Sequence, residues 1–207
     1  MPTETKQQVK YRTPLRQAQR DLTRGRIKDA ARNLFYEKHY DATTMDEIAA
    51  AAGLRRSTLY LHYKDKADIL AEVIEDYAPR ARDVLATLPG PAPTVKQVLR
   101  WIRKVAKFVA EERAPLSILL ELRRDHAYTG TLEELTNLLL TGLGANNPQF
   151  AQAGMAKADP ALRARGLLLL QQLTYSCELY LDDPADLRNK ALFMVTAEDF
   201  AAFLAPD

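Results

Sequence analysis

The run Arg55-Arg56-Ser57-Thr58-Leu59-Tyr60-Leu61-His62 concentrates groups that recognise nucleic acid. A guanidinium is a planar fork of donors that matches the acceptor edge of guanine, and hydroxyls exchange hydrogen bonds with base edges and phosphate oxygens. Catalytic settings are scarce by comparison. The three histidines, His39, His62 and His126, lie in no HExxH, CxxC or GxSxG context, and no glycine-rich phosphate loop occurs. The carboxylates are spaced as helix caps and solvated faces. The chain reads as a non-enzyme without metal or cofactor, and Arg56, Ser57, Thr58 and His62 are its candidates for base edges.

Two short helices would position these groups. Thr44 is an N-cap with Glu47 three residues on, the spacing of a capping box. Ile48, Ala49 and Ala52 follow at helical spacing, and Gly53 falls where a helix ends in a left-handed residue. Beyond the turn, Leu59 and Tyr63 are four apart and face inward, which leaves Arg55, Arg56, Ser57, Thr58, Tyr60 and His62 mostly outward. Residues 44–63 therefore read as a helix-turn-helix for DNA, with Thr44 at a helix start that attracts a phosphate. Two helices this short cannot bury a core alone. A third is expected from about Arg16 or Thr23 to His39, where Ile27, Ala30, Ala31, Leu34 and Phe35 form one apolar stripe.

Charge is divided along the chain in the same sense. Residues 1–66 carry +6 and residues 67–207 carry −4, within a net charge of +2. A basic front half suits a polyanionic partner. Residues 1–22 read as a basic arm or helix extension, 23–66 as the DNA-binding domain and 67–207 as a helical rear domain. The rear half shows no strand-like alternation. Its helices are expected from Asp65 through a kink at Pro79 towards Leu88, from Thr94, from Pro115 to Arg124, from Thr131, and over about 160–181 and 184–204, with a loop between Gly142 and Asp159. The fold class is all-α. No apolar run reaches the roughly 18 residues of a membrane span, the N-terminus lacks a secretory pattern, and Cys177 is the single cysteine, so the expected setting is cytoplasmic with a buried, inert thiol.

The last two helices are apolar around much of their circumference and so need partners on two sides. Leu167, Leu170, Leu173, Cys177 and Leu181, with Leu192, Val195 and Phe203, are the candidates for a four-helix interface with a second copy. Two-fold symmetry would set two recognition helices about 34–36 Å apart, or a multiple of that, and imply an inverted-repeat operator in double-stranded DNA.

Over about residues 24–74 the chain resembles the tetracycline-repressor (TetR) family of bacterial transcription regulators. The resemblance rests on Ala30, Ala31 and Phe35, on Thr44, Ile48, Ala49, Ala52 and Gly53, on Thr58-Leu59-Tyr60, and on His62-Tyr63 with Lys66 and Leu70. It implies a homodimer that occludes promoters until a small molecule enters the rear domain. It also implies that Tyr60 and Lys66 touch the DNA backbone, and it points to Trp101, Phe108, Arg123, His126, Tyr128 and Tyr175 as candidates for lining an effector pocket. Arg55 departs from the pattern, standing where the family commonly has Ser or Thr as a helix cap. Either the helix starts differently or a phosphate contact from Arg55 offsets the loss. Ser57 stands where glycine is frequent. The competing reading is a DNA-binding protein without an effector, controlled by a protein partner or acting architecturally. A ligand-sized apolar cavity would favour the sensor, and a solidly packed rear domain the alternative.

Overall fold

The computed structural model describes residues 14–122, 129–155 and 157–205. All regular structure among them is helical: α1 (Pro14–Lys38), α2 (Met45–Ala51), α3 (Arg56–Tyr60), α4 (Lys66–Leu85), α5 (Val95–Glu111), α6 (Arg113–Leu122), α7 (Thr129–Leu143), α8 (Pro148–Ala153), α9 (Pro160–Asp182) and α10 (Leu187–Phe203). The chain divides into two compact units, the first ending at Ala71.

In the first unit the apolar stripe of α1 closes over the two motif helices. Ile27, Ala31 and Phe35 are buried, as are Ile48 and Ala49 of α2, Leu59 of α3 and Tyr63 just beyond it. Thr44 and Glu47 form the reciprocal capping box their spacing predicts. Gly53 has φ +65°, and a Cβ there would lie 2.8 Å from Arg26 Nη2, so the turn excludes a side chain on two counts. Residues 14–22, read from the sequence as arm or extension, are the opening turns of α1.

Lys66, at the start of α4, fastens the loop ahead of α2. Its ammonium donates to the carbonyls of Tyr40, Asp41 and Thr43 at 2.7, 3.1 and 3.2 Å and lies 4.4 Å from the centre of the Tyr40 ring. Three carbonyls of one loop are thereby gathered on a single ammonium, the Tyr40 carbonyl accepting from Thr43 N–H as well.

The second unit is built on α5, α9 and α10, which pack on one another, with α8 against α9. Trp101, Phe150, Phe200 and Phe203 form a chain of ring contacts through its core, with centroids 4.8–5.6 Å apart. Leu173 and Cys177 of α9 are buried in the same cluster. Burial pushes the Cys177 thiol up to about 12, with the Glu178 charge adding to it, so it stays protonated and inert.

Some boundaries differ from the sequence expectation. α4 carries Pro79 within it and ends at Leu85, short of Leu88. α6 begins at Arg113, before Pro115. The expected loop after Gly142 contains α8, and α10 is capped by Asp186 rather than Asp183.

Two outcomes follow. Lys66→Ala should lower unfolding free energy by about 2–3 kcal/mol, the scale of lost hydrogen bonds from a charged group, as read by urea titration; a change below about 0.5 kcal/mol contradicts the fastening role. The second concerns Glu47, whose carboxyl is lowered to about 2, first by Lys38 and then by the Thr44 N–H and hydroxyl. A depressed carboxyl stabilises above its unfolded value near 4.5 and loses that contribution as pH falls through about 2. Glu47→Gln keeps the acceptor but cannot titrate, so its stability should fall less over that window in circular-dichroism melts.

Candidate nucleic-acid interface and cavity

The polar residues singled out around α3 share one end of the first unit. Arg55, Arg56, Ser57 and Tyr60 are exposed and Thr58 is half-buried, all held by the buried Leu59. The helix is a single turn and a half, and Arg55 occupies its N-cap without a side-chain capping bond. Of the two ways foreseen to offset that loss, a different helix start is excluded, because Arg55 is the cap and α3 begins at Arg56.

Arg56 donates to Asp46 at 2.8 Å, with its guanidinium 5.5 Å from the Tyr60 ring centre. Both charges of the pair are exposed, so water screens the bridge and a stronger acceptor can displace it. Arg56 is thus held in an extended pose at the helix tip while remaining exchangeable. Thr44 spends its hydroxyl on the capping box, accepting from Glu47 N at 3.3 Å and donating to its carboxylate at 3.0 Å.

Two expectations need correction. Lys66 is not a free cation for phosphate, since its donors are taken by the three carbonyls described above. His62 faces inward in part: its Nδ1 is buried without a hydrogen-bond partner among the described residues, and its carbonyl accepts from Arg24 Nη1 at 3.2 Å. Burial first, then the positive charges of Arg20 and Arg24, hold its pKa below the usual value, favouring a neutral ring. The Arg24 guanidinium also lies 4.5 Å from the centre of the Tyr63 ring, joining α1 to the end of the motif. Nothing in the spacing of Arg24 distinguished it from the other cations of the basic front half.

The second unit contains a cavity of about 110 Å³ that opens to solvent, walled by residues of α4, α5, α6, α7 and α9. Phe108 lines it as expected. Trp101 does not: it is 2% exposed and packed on Phe200. Tyr175 is 56% exposed, outside the lining. Arg123, His126 and Tyr128 lie outside the described residues. Tyr77, Thr136, Gln171 and Thr174 supply the polar lining that the sequence reading missed; Tyr77 had shown only as part of an apolar stripe. Among the described residues no group of three or more His, Cys, Asp or Glu could hold a metal ion. No described helix is long and apolar enough to cross a membrane.

The expected self-association residues divide three ways. Leu173 and Cys177 are buried in the protomer's own core and cannot meet a partner. Leu167 and Leu170 line the cavity, and Leu181, Leu192 and Phe203 are half-buried. Val195 is 44% exposed. The exposed apolar side chains beside it are Leu168 and Tyr175 on α9 and Leu187 and Met194 on α10, each pair seven residues apart.

Residues 27–73 match the model of the bacterial regulatory proteins, tetR family. The chain is 34% identical over 99 residues to the HTH-type transcriptional regulator AcrR of Shigella flexneri, a match covering 45% of each chain. It is 39% identical over 51 residues to the biofilm operon icaADBC HTH-type negative transcriptional regulator IcaR of Staphylococcus epidermidis, covering 25% of this chain and 28% of that one. The chain thus spans less than half the length of these curated relatives. A crystal structure of the transcriptional regulator FadR from Bacillus subtilis in complex with stearoyl-CoA superposes with a TM-score of 0.63 at 20% identity, covering 87% of this chain and 99% of that one. At this identity the superposition speaks for the fold. The capped α2, the glycine turn and the exposed α3 tip all lie inside the segment that matches the tetR family of bacterial regulatory proteins.

Proposed function

We propose that the protein is a sequence-specific DNA-binding regulator that represses as a homodimer and leaves its operator when a small molecule occupies the second unit. One observation carries the DNA half of this reading. Arg55, Arg56 and Ser57 are exposed around a fully buried Leu59, so a helix too short to stand alone is held in place while presenting cations and hydroxyls to solvent. Arg56 reads a base edge once it leaves Asp46; Arg55, with its guanidinium outside any cap, meets a phosphate. IcaR, similar over the motif, is named a negative regulator, which supports repression as the output.

The cavity supports the sensor over a DNA-binding protein without effector, because helices packed solid would leave no such space. The FadR structure holds stearoyl-CoA, which supports ligand binding by this architecture. The homodimer reading now rests on Leu168, Tyr175, Leu187, Met194 and Val195, whose exposure on two neighbouring helices forms an apolar surface typical of association.

Duplexes selected from a random pool, then titrated at several salt concentrations, test the interface. Arg56→Ala should cost about 1–3 kcal/mol on the selected site and relax its sequence preference. Arg55→Ala should weaken all duplexes alike and reduce the salt slope by about 1. Unchanged affinity in both variants would sink the assignment. Light scattering should give twice the 23.3 kDa chain mass at micromolar concentration, and Tyr175→Glu with Val195→Glu should return it to the single-chain value; a wild-type monomer refutes the dimer.

A further inference from the structure

The cavity walls state what kind of molecule they accept. Among the described residues, every lining side chain is uncharged, and the polar ones are Tyr77, Thr136, Gln171 and Thr174. The charges that act on Tyr77 are those of Glu112 and Arg80, which are not among the lining residues and are spent on one another through two hydrogen bonds, the longer at 3.1 Å. An ionised ligand would therefore lose its water without gaining a counter-charge, a loss that an apolar wall does not repay.

The polar groups add a direction. Thr136 Oγ1 donates to the Leu132 carbonyl at 2.7 Å and Thr174 Oγ1 to the Leu170 carbonyl at 3.0 Å, so each hydroxyl hydrogen is already used and only oxygen lone pairs remain. The Tyr77 hydroxyl has no hydrogen-bond partner among the described residues. Burial, with Glu112 second, pushes it up to about 12, so it remains a protonated donor at any physiological pH. Its ring and Phe108, 5.8 Å apart between centroids, make a flat aromatic wall beside this donor.

We infer that the ligand of this cavity is an uncharged, mainly apolar small molecule carrying a hydrogen-bond acceptor for Tyr77. An acyl anion or an organic cation of the same length finds no counter-charge among the described lining residues. This deepens the reading of the cavity as the effector site and rests on it for its biological meaning, but ligand class and DNA release are measured separately.

The test uses the full chain and three ten-carbon probes, 1-decanol, decanoate and decyltrimethylammonium, at pH 7.5 and below their micelle concentrations. Each competes with the fluorescent neutral probe N-phenyl-1-naphthylamine. Decanol should displace it at a concentration at least tenfold below either ion and should raise the melting temperature. Equal or better displacement by an ion overturns the inference, as does failure of decanol to displace at all. Leu139→Trp, which fills the cavity, should weaken decanol at least tenfold with helical content retained. Should that variant fail to fold, Tyr77→Phe should weaken decanol about fivefold while leaving displacement by the ions unchanged; decanol affinity unaltered in the folded variant argues against the site. DNA release is read on the selected duplex. Decanol bound without loss of DNA affinity leaves the ligand class standing and removes ligand-driven release. Decanol unbound while the charged probes release DNA does the reverse.

Discussion

The recognition surface depends on one buried leucine. α3 spans five residues, below the length at which a helix holds itself together, because the first turn fixes several dihedrals for a single hydrogen bond. Its N-cap contributes no side-chain bond either. What remains is Leu59, wholly buried, with Tyr63 four residues on sealing the same face. Every exposed group at the tip takes its direction from that pair. The rest of the first unit serves them: α1 covers them, Gly53 sets the angle at which α3 leaves α2, and Lys66 closes the preceding loop. A polar residue at position 59 would therefore remove both the core contact and the orientation of every exposed group at the tip.

The second unit makes opposite use of apolar residues. Around Trp101 and Phe200 they pack ring against ring and side chain against side chain. Along the inner faces of α4, α7 and α9 they line a space instead. Unfilled apolar volume is costly because its walls forgo dispersion contacts, so a molecule that completes those contacts stabilises the unit as it binds. The same cost underlies the inferred preference for uncharged molecules: such a ligand restores the missing contacts, whereas an ion would have to surrender hydration first.

How much of this was legible in the sequence depends on whether the signal is local. The capping box at Thr44, the turn at Gly53, the stripe of α1 and the inward pair Leu59 and Tyr63 are set within a few residues, and all of them appear as read. Lys66 was expected at the DNA backbone on the family resemblance alone, and no local pattern revealed its carbonyl partners, which lie more than twenty residues away. Periodicity revealed that α9 is apolar on several faces but not what each face meets. Cys177 meets the core, Leu173 meets both core and cavity, Leu167 and Leu170 line the cavity, and Leu168 and Tyr175 meet solvent. These three environments select the same residue types, so only the packing separates them. Trp101 illustrates the same limit: a large aromatic suits a pocket wall and a core equally well.

Helix α4 bears on how binding in one place is felt in another. Its first residue, Lys66, holds the loop ahead of α2, and its later turns contribute Tyr77, Ala81 and Val84 to the cavity wall. Pro79 lies between Tyr77 and Ala81 and donates no amide, so the turn that begins at Glu75 lacks one rung of its ladder. A helix weakened at one rung bends there at lower cost than elsewhere, while its two ends remain regular. Ligand contacts made beyond that rung can change DNA affinity only if they are better in one bend than in another; an occupant that fits both equally shifts nothing, however tightly it binds. Tyr77 lies two residues before the proline and Ala81 two residues after it, so an occupant spanning both touches the two sides of the weakened turn. That position makes its fit sensitive to the bend, which is the differential contact that release requires.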